Sequence, residues 1–479
     1  MISIQLSRKV TGSDCHIFLI EKHTNLSKIN LSKEETTYVK KSIDKNIDTI
    51  STDGKLIVVL SKKSSADATN EDLRRKGSGI VSYLNEQKCA AVAIINETGT
   101  KEAGLSFAEG LALGAYQFIK YKKEKDKEAT KLKTVTIIDE TISKETIDEL
   151  NVVIDAVYKV RNLVNEPVNH LNAPKLAKEF EKMGKEAGFR TEIFDRKKIE
   201  SLRMGGLLSV NQGSIDPPRF TIMEWKPKNA KNKKPIILVG KGVVYDTGGL
   251  SLKPTQLSMD YMKTDMAGAA TVAGIMYVAA KTKLPLHLVA LAPSTDNRLS
   301  GNAFAPGDII TMYDGTTVEM LNSDAEGRMI LADALSYAKK YDPQLVIDMA
   351  TLTGAAAAAI GKEGIVYMST APKNVTNELE ESGEEKHERL VRFPLWDEYG
   401  DYIKSDIADM KNVGGKNAGA ITAGKFLEKF TSYPWIHLDI AGVAFLHGAD
   451  GYKGKNATAF GLRLIYNFLQ KQVKNAGKQ

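Results

Sequence analysis

The sequence predicts an α/β protein, with a smaller N-terminal α/β domain and a larger C-terminal α/β domain whose mixed central sheet is flanked by helices. Short apolar runs rich in β-branched residues alternate with helical patterns along the chain, which is typical of α/β folds. A helical apolar pattern leads up to Val164, and Pro167 and Pro174 then break it. With 479 residues, 42% of them apolar, the chain is long enough for two such domains. We therefore expect an N-terminal domain at residues 1–155, a linking helix and junction at 156–175, and the larger domain at 176–479.

Four apolar runs and one helical pattern define the predicted N-terminal domain. The helix candidate is GLSFAEGLALGAYQFIKY, which covers residues 104–121. The histidines of this domain, His16 and His23, stand alone, and we expect them to be structural, with no catalytic site here. The strand candidates are CHIFLI from Cys15, KLIVVL from Lys55, AAVAIIN from Ala90 and TVTIID from Thr134.

Continuous apolar runs in the predicted C-terminal domain indicate buried strands. RFTIMEW from Arg219 and PIILVG from Pro235 bracket a lysine-rich stretch, and we interpret them as two paired strands joined by a hairpin. Residues 266–281 and 327–341 have helical patterns. Because open α/β sheets place ligand sites beyond the carboxyl ends of their strands, the residues just after Gly240 are candidates for a site. Further buried strands are predicted at LHLVALAP from Leu286, QLVIDMATL from Gln344 and WIHLDIAG from Trp435.

Composition and charge narrow the class of protein. The longest run with few polar residues begins at Ala267 and has 14 residues, fewer than the roughly 20 that a bilayer-spanning helix needs. The first residues lack an apolar export signal, and Cys15 and Cys89 are too few for a disulfide framework, so we expect a cytoplasmic protein. The net charge of +7 comes largely from lysine runs at 120–133 and 226–234, which form either solvated loops, as we favour, or a nucleic-acid patch.

Two segments about eighty residues apart concentrate charge among glycines and apolar residues. GKGVVYDTGGLSLKP and MKTDMAGAA lie within residues 240–270, and NSDAEGRMILADAL covers 322–335. Ionised side chains in a low-dielectric interior are costly, so such a cluster persists only if the charges pair or hold metal. Four carboxylates balance two divalent cations, which indicates a two-metal hydrolytic site with a shared water. The charged residues are Lys241, Asp246, Lys253, Asp265, Asp324, Glu326 and Arg328.

Both segments resemble the signatures of the leucyl aminopeptidase family, the M17 dinuclear metallo-aminopeptidases. The family's second signature normally reads NTDAEGR and here reads NSDAEGR, in which Ser323 keeps the hydroxyl group. Thr247 stands where serine is common in the first signature, and RNLVNEPVN resembles the family's segment at the domain junction. The resemblance is strong over residues 161–461 and weak before them, because the family's N-terminal domain varies widely.

The resemblance implies a metal-binding role for five of the charged residues. Asp246 and Glu326 match residues that bridge both ions in the family. Lys241 and Asp265 match ligands that complete the shell of one ion, and Asp324 matches a ligand of the other. To bind a metal, Lys241 has to be neutral, at a cost of roughly 4.6 kcal/mol at pH 7. Interpreted singly, Lys241 pairs with Asp246, DTGG forms a turn and DAEGR starts a helix, but these alternatives are poor for both motifs together.

Two positively charged side chains match residues that act on anionic groups in the family. Lys253 matches a protonated lysine that stabilises the oxyanion of the tetrahedral intermediate, a task that suits a fixed cation in a dry site. Arg328 matches an arginine that holds a bicarbonate ion, a planar anion to which a guanidinium donates two hydrogen bonds. The alternative for Arg328 is a surface salt bridge.

The resemblance also implies a substrate pocket. Thr351, Leu352 and Gly354 match residues that line the family's substrate cleft, partly through backbone groups. Met262 matches a residue beside the first side chain of the peptide. The alanines of ATLTGAAAAAIG, from Ala350, also suit tight helix packing, and the two interpretations are compatible.

Histidine contributes no obvious metal ligand. No HExxH motif occurs, and His437, within an apolar run, is interpreted as a hydrogen-bonded core residue. Asp260 and Asp348 lie near the two segments in sequence but match no ligand position. A shell of carboxylates with one lysine nitrogen suits Mn²⁺, Zn²⁺ or Co²⁺.

The function implied by the resemblance is that of a metal-dependent aminopeptidase that removes N-terminal leucine and similar apolar residues from peptides. In this mechanism a bridging water attacks the scissile amide, and one ion binds the free α-amine of the peptide. The family's members form hexamers, so a homohexamer is expected. Three alternatives stay open: a dinuclear phosphatase, an additional sequence-specific DNA-binding role, and a cysteinylglycine-processing dipeptidase.

Overall fold

The computed structural model describes residues 2–9, 12–52, 55–60 and 63–476 of the chain. The chain divides into two compact units, each with its own dense internal contacts. No helix among the described residues combines the length and the apolar character that crossing a bilayer requires. The smaller unit comprises the residues up to Tyr158 together with Gly448–Lys455, and the larger unit comprises Lys159–His447 and Asn456–Gln479.

The smaller unit is built around one six-stranded sheet. Its strands are β1 (Ser3–Ser7), β2 (Cys15–Glu21), β3 (Thr49–Thr52), β4 (Lys55–Leu60), β5 (Ala91–Asn96) and β6 (Thr134–Ile138). The accompanying helices are α1 (Lys33–Asp44), α2 (Ala66–Gly79), α3 (Val81–Glu86), α4 (Lys101–Gly114), α5 (Lys125–Glu128) and the first part of α6 (Lys144–Asn165). The strand order is β1-β6-β5-β2-β4-β3, and neighbours are parallel except for β3 and β4. All four strands predicted for this region are present.

The helix predicted at residues 104–121 is shorter in the structure. α4 ends at Gly114, so the prediction is wrong for the residues that follow. The apolar spacing continues past Gly114, but these side chains pack from a chain that is no longer helical. The Tyr116 ring, for example, meets the Tyr158 ring edge-on with 5.0 Å between their centroids. Apolar periodicity does not distinguish these two ways of burying a side chain.

Among the described residues, the larger unit contains a mixed sheet of nine strands, a three-stranded sheet and a two-stranded sheet. Its strands are β7 (Arg190–Phe194), β8 (Arg219–Trp225), β9 (Ile236–Gly240), β10 (Gly242–Asp246), β11 (Leu288–Asn297), β12 (Asp308–Thr311), β13 (Thr317–Met320), β14 (Leu345–Ala350), β15 (Ile365–Ser369), β16 (Leu390–Arg392), β17 (Met410–Lys411), β18 (Trp435–Asp439), β19 (Phe445–Leu446) and β20 (Asn456–Ala457). Its helices are the end of α6, then α7 (Ala173–Ala187), α8 (Arg196–Ser201), α9 (Gly205–Asn211), α10 (Ala267–Lys281), α11 (Glu326–Ala338), α12 (Gly354–Ile360), α13 (Lys373–Lys386), α14 (Glu398–Asp401), α15 (Gly419–Glu428) and α16 (Leu462–Ala476). The main sheet has the order β16-β15-β18-β14-β9-β11-β8-β7, and β10 pairs with β11. Parallel and antiparallel pairs both occur, which confirms the predicted mixed α/β fold.

The pairing predicted between the strands at Arg219 and Pro235 is wrong. β8 and β9 do not touch, because β11 lies between them, antiparallel to β8 and parallel to β9. Leu288 of β11 is opposite Trp225 on one side and Ile236 on the other. The lysine-rich stretch that joins β8 and β9 is therefore not a hairpin tip. A strand that inserts from later in the chain leaves no mark on the local apolar pattern.

The central strands of this sheet place the functional segments. β9, β14 and β18 are buried along their whole length. The helix α11 is buried on all sides, and α10 is buried over all but its last residue, so both are core helices. Polar residues that follow β9, β10 and β14 thus emerge from a buried, well-packed backbone, which limits how far their side chains can move.

Candidate metal centre

Buried strand ends and the start of one helix place the predicted metal ligands. Lys241 is the single residue between β9 and β10, and Asp246 ends β10. Asp265 directly follows a short 3₁₀ helix. Glu326 is the first residue of α11, two residues after Asp324. Two segments that are remote in sequence thereby meet beside the carboxyl ends of β9 and β10.

Three carboxylates converge at one point. One oxygen from each of Asp246, Asp265 and Glu326 lies within 4.8 Å of the other two, and the residues are 2%, 4% and 1% exposed. Burial raises the pKa of Asp265 to about 6 and that of Glu326 to about 8, and the Asp246 carboxylate adds to both shifts against the opposing effect of Lys241. Glu326 Oε2 has no hydrogen-bond partner among the described residues. Mutually repelling buried carboxylates with a free oxygen fit a bound divalent cation.

Lys241 lies among these carboxylates. Its Nζ is 2.8 Å from Asp265 Oδ1 and 3.0 Å from Glu326 Oε1, and it donates a hydrogen bond of 2.9 Å to the Thr351 carbonyl. Burial lowers the pKa of Lys241, but Asp265, Glu326 and Asp246 outweigh burial and raise it overall. Its direct ionic partners are thus Asp265 and Glu326, whereas the simple alternative from sequence was a pair with Asp246. A metal ion that binds Lys241 has to displace its proton.

Lys253 and Asp324 form a second charged pair beside the first group. Lys253 Nζ is 2.9 Å from Asp246 Oδ2 and also pairs with the Asp324 carboxylate. The Lys253 side chain is 14% exposed and that of Asp324 32%, so this side of the cluster is the more open one. Burial lowers the pKa of Lys253, but the carboxylates of Asp246, Glu326 and Asp324 raise it more. Lys253 is therefore a fixed ammonium group at neutral pH.

Two glycines show why the signatures need small residues. Gly248 has a φ of +84°, and its N–H donates to Asp246 Oδ1 at 2.8 Å. A β-carbon at Gly327 would lie 2.4 Å from Cε of Lys241 and 2.7 Å from its Nζ. Gly248 thus lets the chain turn back onto Asp246, and Gly327 leaves the space that the Lys241 side chain occupies.

Arg328 is a buried cation on the first turn of α11. It is 7% exposed, and its Nη1 donates to the Asn412 carbonyl at 2.6 Å. Its Nε has no partner in the part of the chain that the structure describes. Burial lowers the pKa of Arg328 to about 10, against the opposing effects of Glu326 and Asp439. This burial does not fit a surface salt bridge, and the unpartnered N–H leaves a donor for an anion.

Thr351 contacts the charged cluster through polar groups, and Leu352 contacts the carboxylate of Asp439. Thr351 Oγ1 donates to Asp265 Oδ1 at 2.8 Å, and its carbonyl accepts from Lys241. The Leu352 N–H donates to Asp439 Oδ1 at 3.1 Å. The turn from β14 into α12 is therefore tied to the carboxylate group by its backbone and by one hydroxyl.

Met262 and Gly354 are the remaining predicted pocket residues. Met262 is half-buried in the 3₁₀ helix, and its carbonyl accepts from the Asp265 N–H at 3.3 Å. Gly354 begins α12 and is exposed, and a β-carbon there would meet no atom within 4 Å. Met262 thus lies three residues before the predicted ligand Asp265. Gly354 lies three residues after Thr351, which donates a hydrogen bond to Asp265.

Sequence reasoning missed three buried polar residues that support these segments. Asn297 ends β11 and donates to Asp246 Oδ1. Asp439 ends β18 and binds the turn after β14. Asn412 accepts from the Asn322 N–H and donates to the Asn322 carbonyl. For Asn297 and Asp439, the position at the carboxyl end of a buried strand was a usable signal. Asn412 gives no such signal, because it follows a two-residue strand.

His437 partly matches the interpretation as a hydrogen-bonded core residue. It is fully buried, and its Nδ1 lies 2.6 Å from Asp348 Oδ1. The other oxygen of Asp348 accepts from Trp435 Nε1 at 2.7 Å. His437 Nε2, however, has no hydrogen-bond partner within the described residues.

A family model decides the class of the protein. The model for the catalytic domain of the cytosol aminopeptidase family matches residues 158–466. The chain belongs to the cytosol aminopeptidase family, M17. The resemblance inferred from the two signatures is thus confirmed, and the enzyme class is that of an aminopeptidase, a hydrolase. Family M17 is metal-dependent, in agreement with the buried acidic triad.

Relatives and solved structures match most of the chain. A probable cytosol aminopeptidase of Chlorobaculum tepidum is 47% identical over 384 residues, which are 77% of this chain and 75% of the relative. That of Clostridium perfringens is 38% identical over 495 aligned positions, covering 97% and 98% of the two chains. The structure of the bottromycin maturation enzyme BotP is 26% identical, with a TM-score of 0.85, and covers 97% of this chain and 100% of its own. The structure of BotP in complex with Mn matches with the same score and identity over 96% of this chain.

Proposed function

We propose that this aminopeptidase releases N-terminal leucine and similar apolar residues from peptides, using two divalent cations held by Lys241, Asp246, Asp265, Asp324 and Glu326. The observation that carries the proposal is the convergence of three buried carboxylates from two remote segments, with Glu326 Oε2 left without a partner among the described residues. Such an arrangement is costly unless a cation neutralises it. Mn²⁺ and Zn²⁺ both suit a shell of carboxylates with one lysine nitrogen.

The two lysines take different roles in this proposal. Lys241 is enclosed by Asp265 and Glu326 and becomes a neutral ligand once cations neutralise these carboxylates. Lys253, on the more open side, keeps its proton and stabilises the oxyanion that forms on the scissile carbonyl. When bound, the cations supply a water that is deprotonated near neutral pH.

Arg328 is proposed to hold a bicarbonate ion that relays the proton of the attacking water. Its guanidinium is buried and fixed through one nitrogen to the Asn412 carbonyl. The Nε donor has no partner among the described residues, so it remains for an anion. Bidentate binding of a planar anion is the task for which a guanidinium is best shaped.

Substrate selection is proposed to depend on the backbone and side chains beside the ligands. Met262 contacts the first side chain of the peptide, and Thr351, Leu352 and Gly354 line the cleft along its backbone. The free α-amine is required because it would bind one of the two cations, which a blocked amine could not do, so a blocked N-terminus is not cleaved. A cytoplasmic homohexamer is proposed from the similarity to the family alone.

Chelation followed by reconstitution tests the proposal. Protein stripped with a chelator should not hydrolyse a leucyl chromogenic amide, and Mn²⁺ or Zn²⁺ should restore hydrolysis. The N-acetylated amide serves as the matched control substrate and should remain uncleaved in every state. Hydrolysis that survives complete removal of metal, or equal cleavage of the acetylated amide, would contradict the proposed function.

A further inference from the structure

Asn297 is a fully buried amide that contacts both charged segments of the metal centre. Its Nδ2 donates to Asp246 Oδ1 at 2.8 Å and to the Ser323 carbonyl at 3.0 Å. The backbone carbonyl of Asn297 accepts from the Thr247 N–H at 3.0 Å and from Thr247 Oγ1 at 2.9 Å. One residue at the end of β11 thus fixes the loop after β10 and the segment before α11 together.

The chemistry of this position requires an amide nitrogen. Both hydrogens of Nδ2 are used, one on a carboxylate and one on a carbonyl. Exchanging the amide oxygen and nitrogen would set the Asn297 oxygen against two acceptors, so the contacts fix the orientation of the group. Asn297 Oδ1 has no hydrogen-bond partner within the described residues. An aspartate has nearly the same shape but lacks both donated hydrogen bonds when ionised, and it would add a fifth carboxylate.

The two carboxylate oxygens of Asp246 have different partners. Oδ1 accepts two N–H groups, from Gly248 and from Asn297, each at 2.8 Å. Oδ2 lies 2.9 Å from Lys253 Nζ, on the side of the charged cluster. Two fixed donors on one oxygen hold the carboxylate plane in a single orientation and leave the other oxygen directed at the site.

We propose that Asn297 is a positioning residue that orients the Asp246 carboxylate and thereby sets the affinity of the centre for divalent cations. The proposal rests on the metal-binding role proposed above for Asp246. Groups that hydrogen-bond to metal-binding side chains typically change metal affinity by about 10- to 100-fold when they are removed. The same loss is expected here, because an Asp246 Oδ1 held by the Gly248 N–H alone is less firmly oriented, so Asp246 presents its other oxygen to the ion only part of the time.

Titration calorimetry of the metal-stripped full-length protein with Mn²⁺ tests this role. Asn297→Leu keeps the number and branching of the side-chain heavy atoms but removes both donors, and its Kd for Mn²⁺ should rise about 10- to 100-fold. Asn211 offers a matched control, since it is fully buried and donates to Thr295 Oγ1 at 3.0 Å, two residues before Asn297 on β11. Asn211→Leu should lower the melting temperature but leave the Kd for Mn²⁺ within about twofold of the wild type.

The outcomes separate this inference from the proposed function. A wild-type protein that binds no Mn²⁺ would remove the metal-binding role itself, and with it the basis of the inference. If the wild type binds Mn²⁺ and Asn297→Leu binds it equally well, the positioning role alone is overturned. If circular dichroism shows that Asn297→Leu does not fold, the Kd of Asn297→Ala for Mn²⁺ is measured instead, and an unchanged Kd overturns the positioning role. An equal loss of affinity in Asn211→Leu would also overturn the inference, since it would show a general effect on β11.

Discussion

Replacing Lys253 by methionine removes one charge and the terminal atom while keeping the rest of an unbranched side chain. The Lys253 ammonium lies 2.9 Å from Asp246 Oδ2, and the Lys253 side chain is only 14% exposed, so little water screens the charge. At an effective dielectric constant of about 20, a unit charge about 3 Å from a full negative charge contributes about 5 kcal/mol. The oxyanion carries only part of a full negative charge in the transition state, and in the variant water partly replaces the ammonium group. The expected loss of transition-state stabilisation is therefore about 3–4 kcal/mol. We expect Lys253→Met to lower kcat by about 10²- to 10³-fold.

The assay is steady-state hydrolysis of a leucyl amide at saturating Mn²⁺, so that a change in metal affinity does not contribute. Lys425 provides a matched control, because it is also buried and paired with a carboxylate, Glu428 at 2.5 Å, but has no contact with the charged cluster. Lys425→Met should lower stability and leave kcat within about threefold. If Lys253→Met retains wild-type kcat with its fold intact, Lys253 has no part in stabilising the oxyanion.

Two further substitutions test other parts of the account. Burial lowers the pKa of His437, but Asp348 raises it overall above the ordinary value, so the ion pair stabilises the fold below about pH 6.5 and this contribution is lost as the pH rises through the folded-state pKa. His437→Gln should therefore destabilise the protein more at pH 6 than at pH 9 in urea unfolding, and an equal loss at both pH values would contradict the ion pair. Gly327→Ala places a β-carbon 2.4 Å from Lys241 Cε, so the Lys241 side chain has to move, and Mn²⁺ binding should weaken at least tenfold in calorimetry. Unchanged Mn²⁺ affinity in Gly327→Ala would show that the position of Lys241 does not matter for the metal.

The strands that were predicted correctly are short, continuous apolar runs, whereas strands such as β3, β12 and β13 have no such run and were not predicted. β2, β4, β5 and β6 in the smaller unit, and β9, β11, β14 and β18 in the larger unit, all follow such runs. Their pairing is a different matter, because register and neighbours depend on residues far along the chain. The expected hairpin of β8 and β9 failed for this reason, since β11 enters between them. The end of α4 at Gly114 was missed because apolar spacing continues beyond it.

The charged residues of the candidate site were predicted from the sequence, but the buried polar residues that hydrogen-bond to them were not. Glycine-flanked acids and lysines near a core stand out because their burial is costly without partners. The structure brings Asp246, Asp265 and Glu326 together as the two signatures indicated. Asn297 is marked in the sequence only by its position at the carboxyl end of a buried strand, and Asn412 by no signal, because a buried asparagine is neutral and occurs in many structural roles. What distinguishes them is the identity of their hydrogen-bond partners, which only the fold reveals.

Anomalous diffraction from a crystal soaked in Mn²⁺ tests the central claim most directly. We expect two anomalous peaks, about 4 Å apart, in contact with the carboxylates of Asp246 and Glu326. One peak should also contact Lys241 and Asp265, and the other Asp324. A map without anomalous density at these carboxylates, with the Lys241 ammonium still held between Asp265 and Glu326 at millimolar Mn²⁺, would contradict the claim that this cluster is the metal centre of the enzyme.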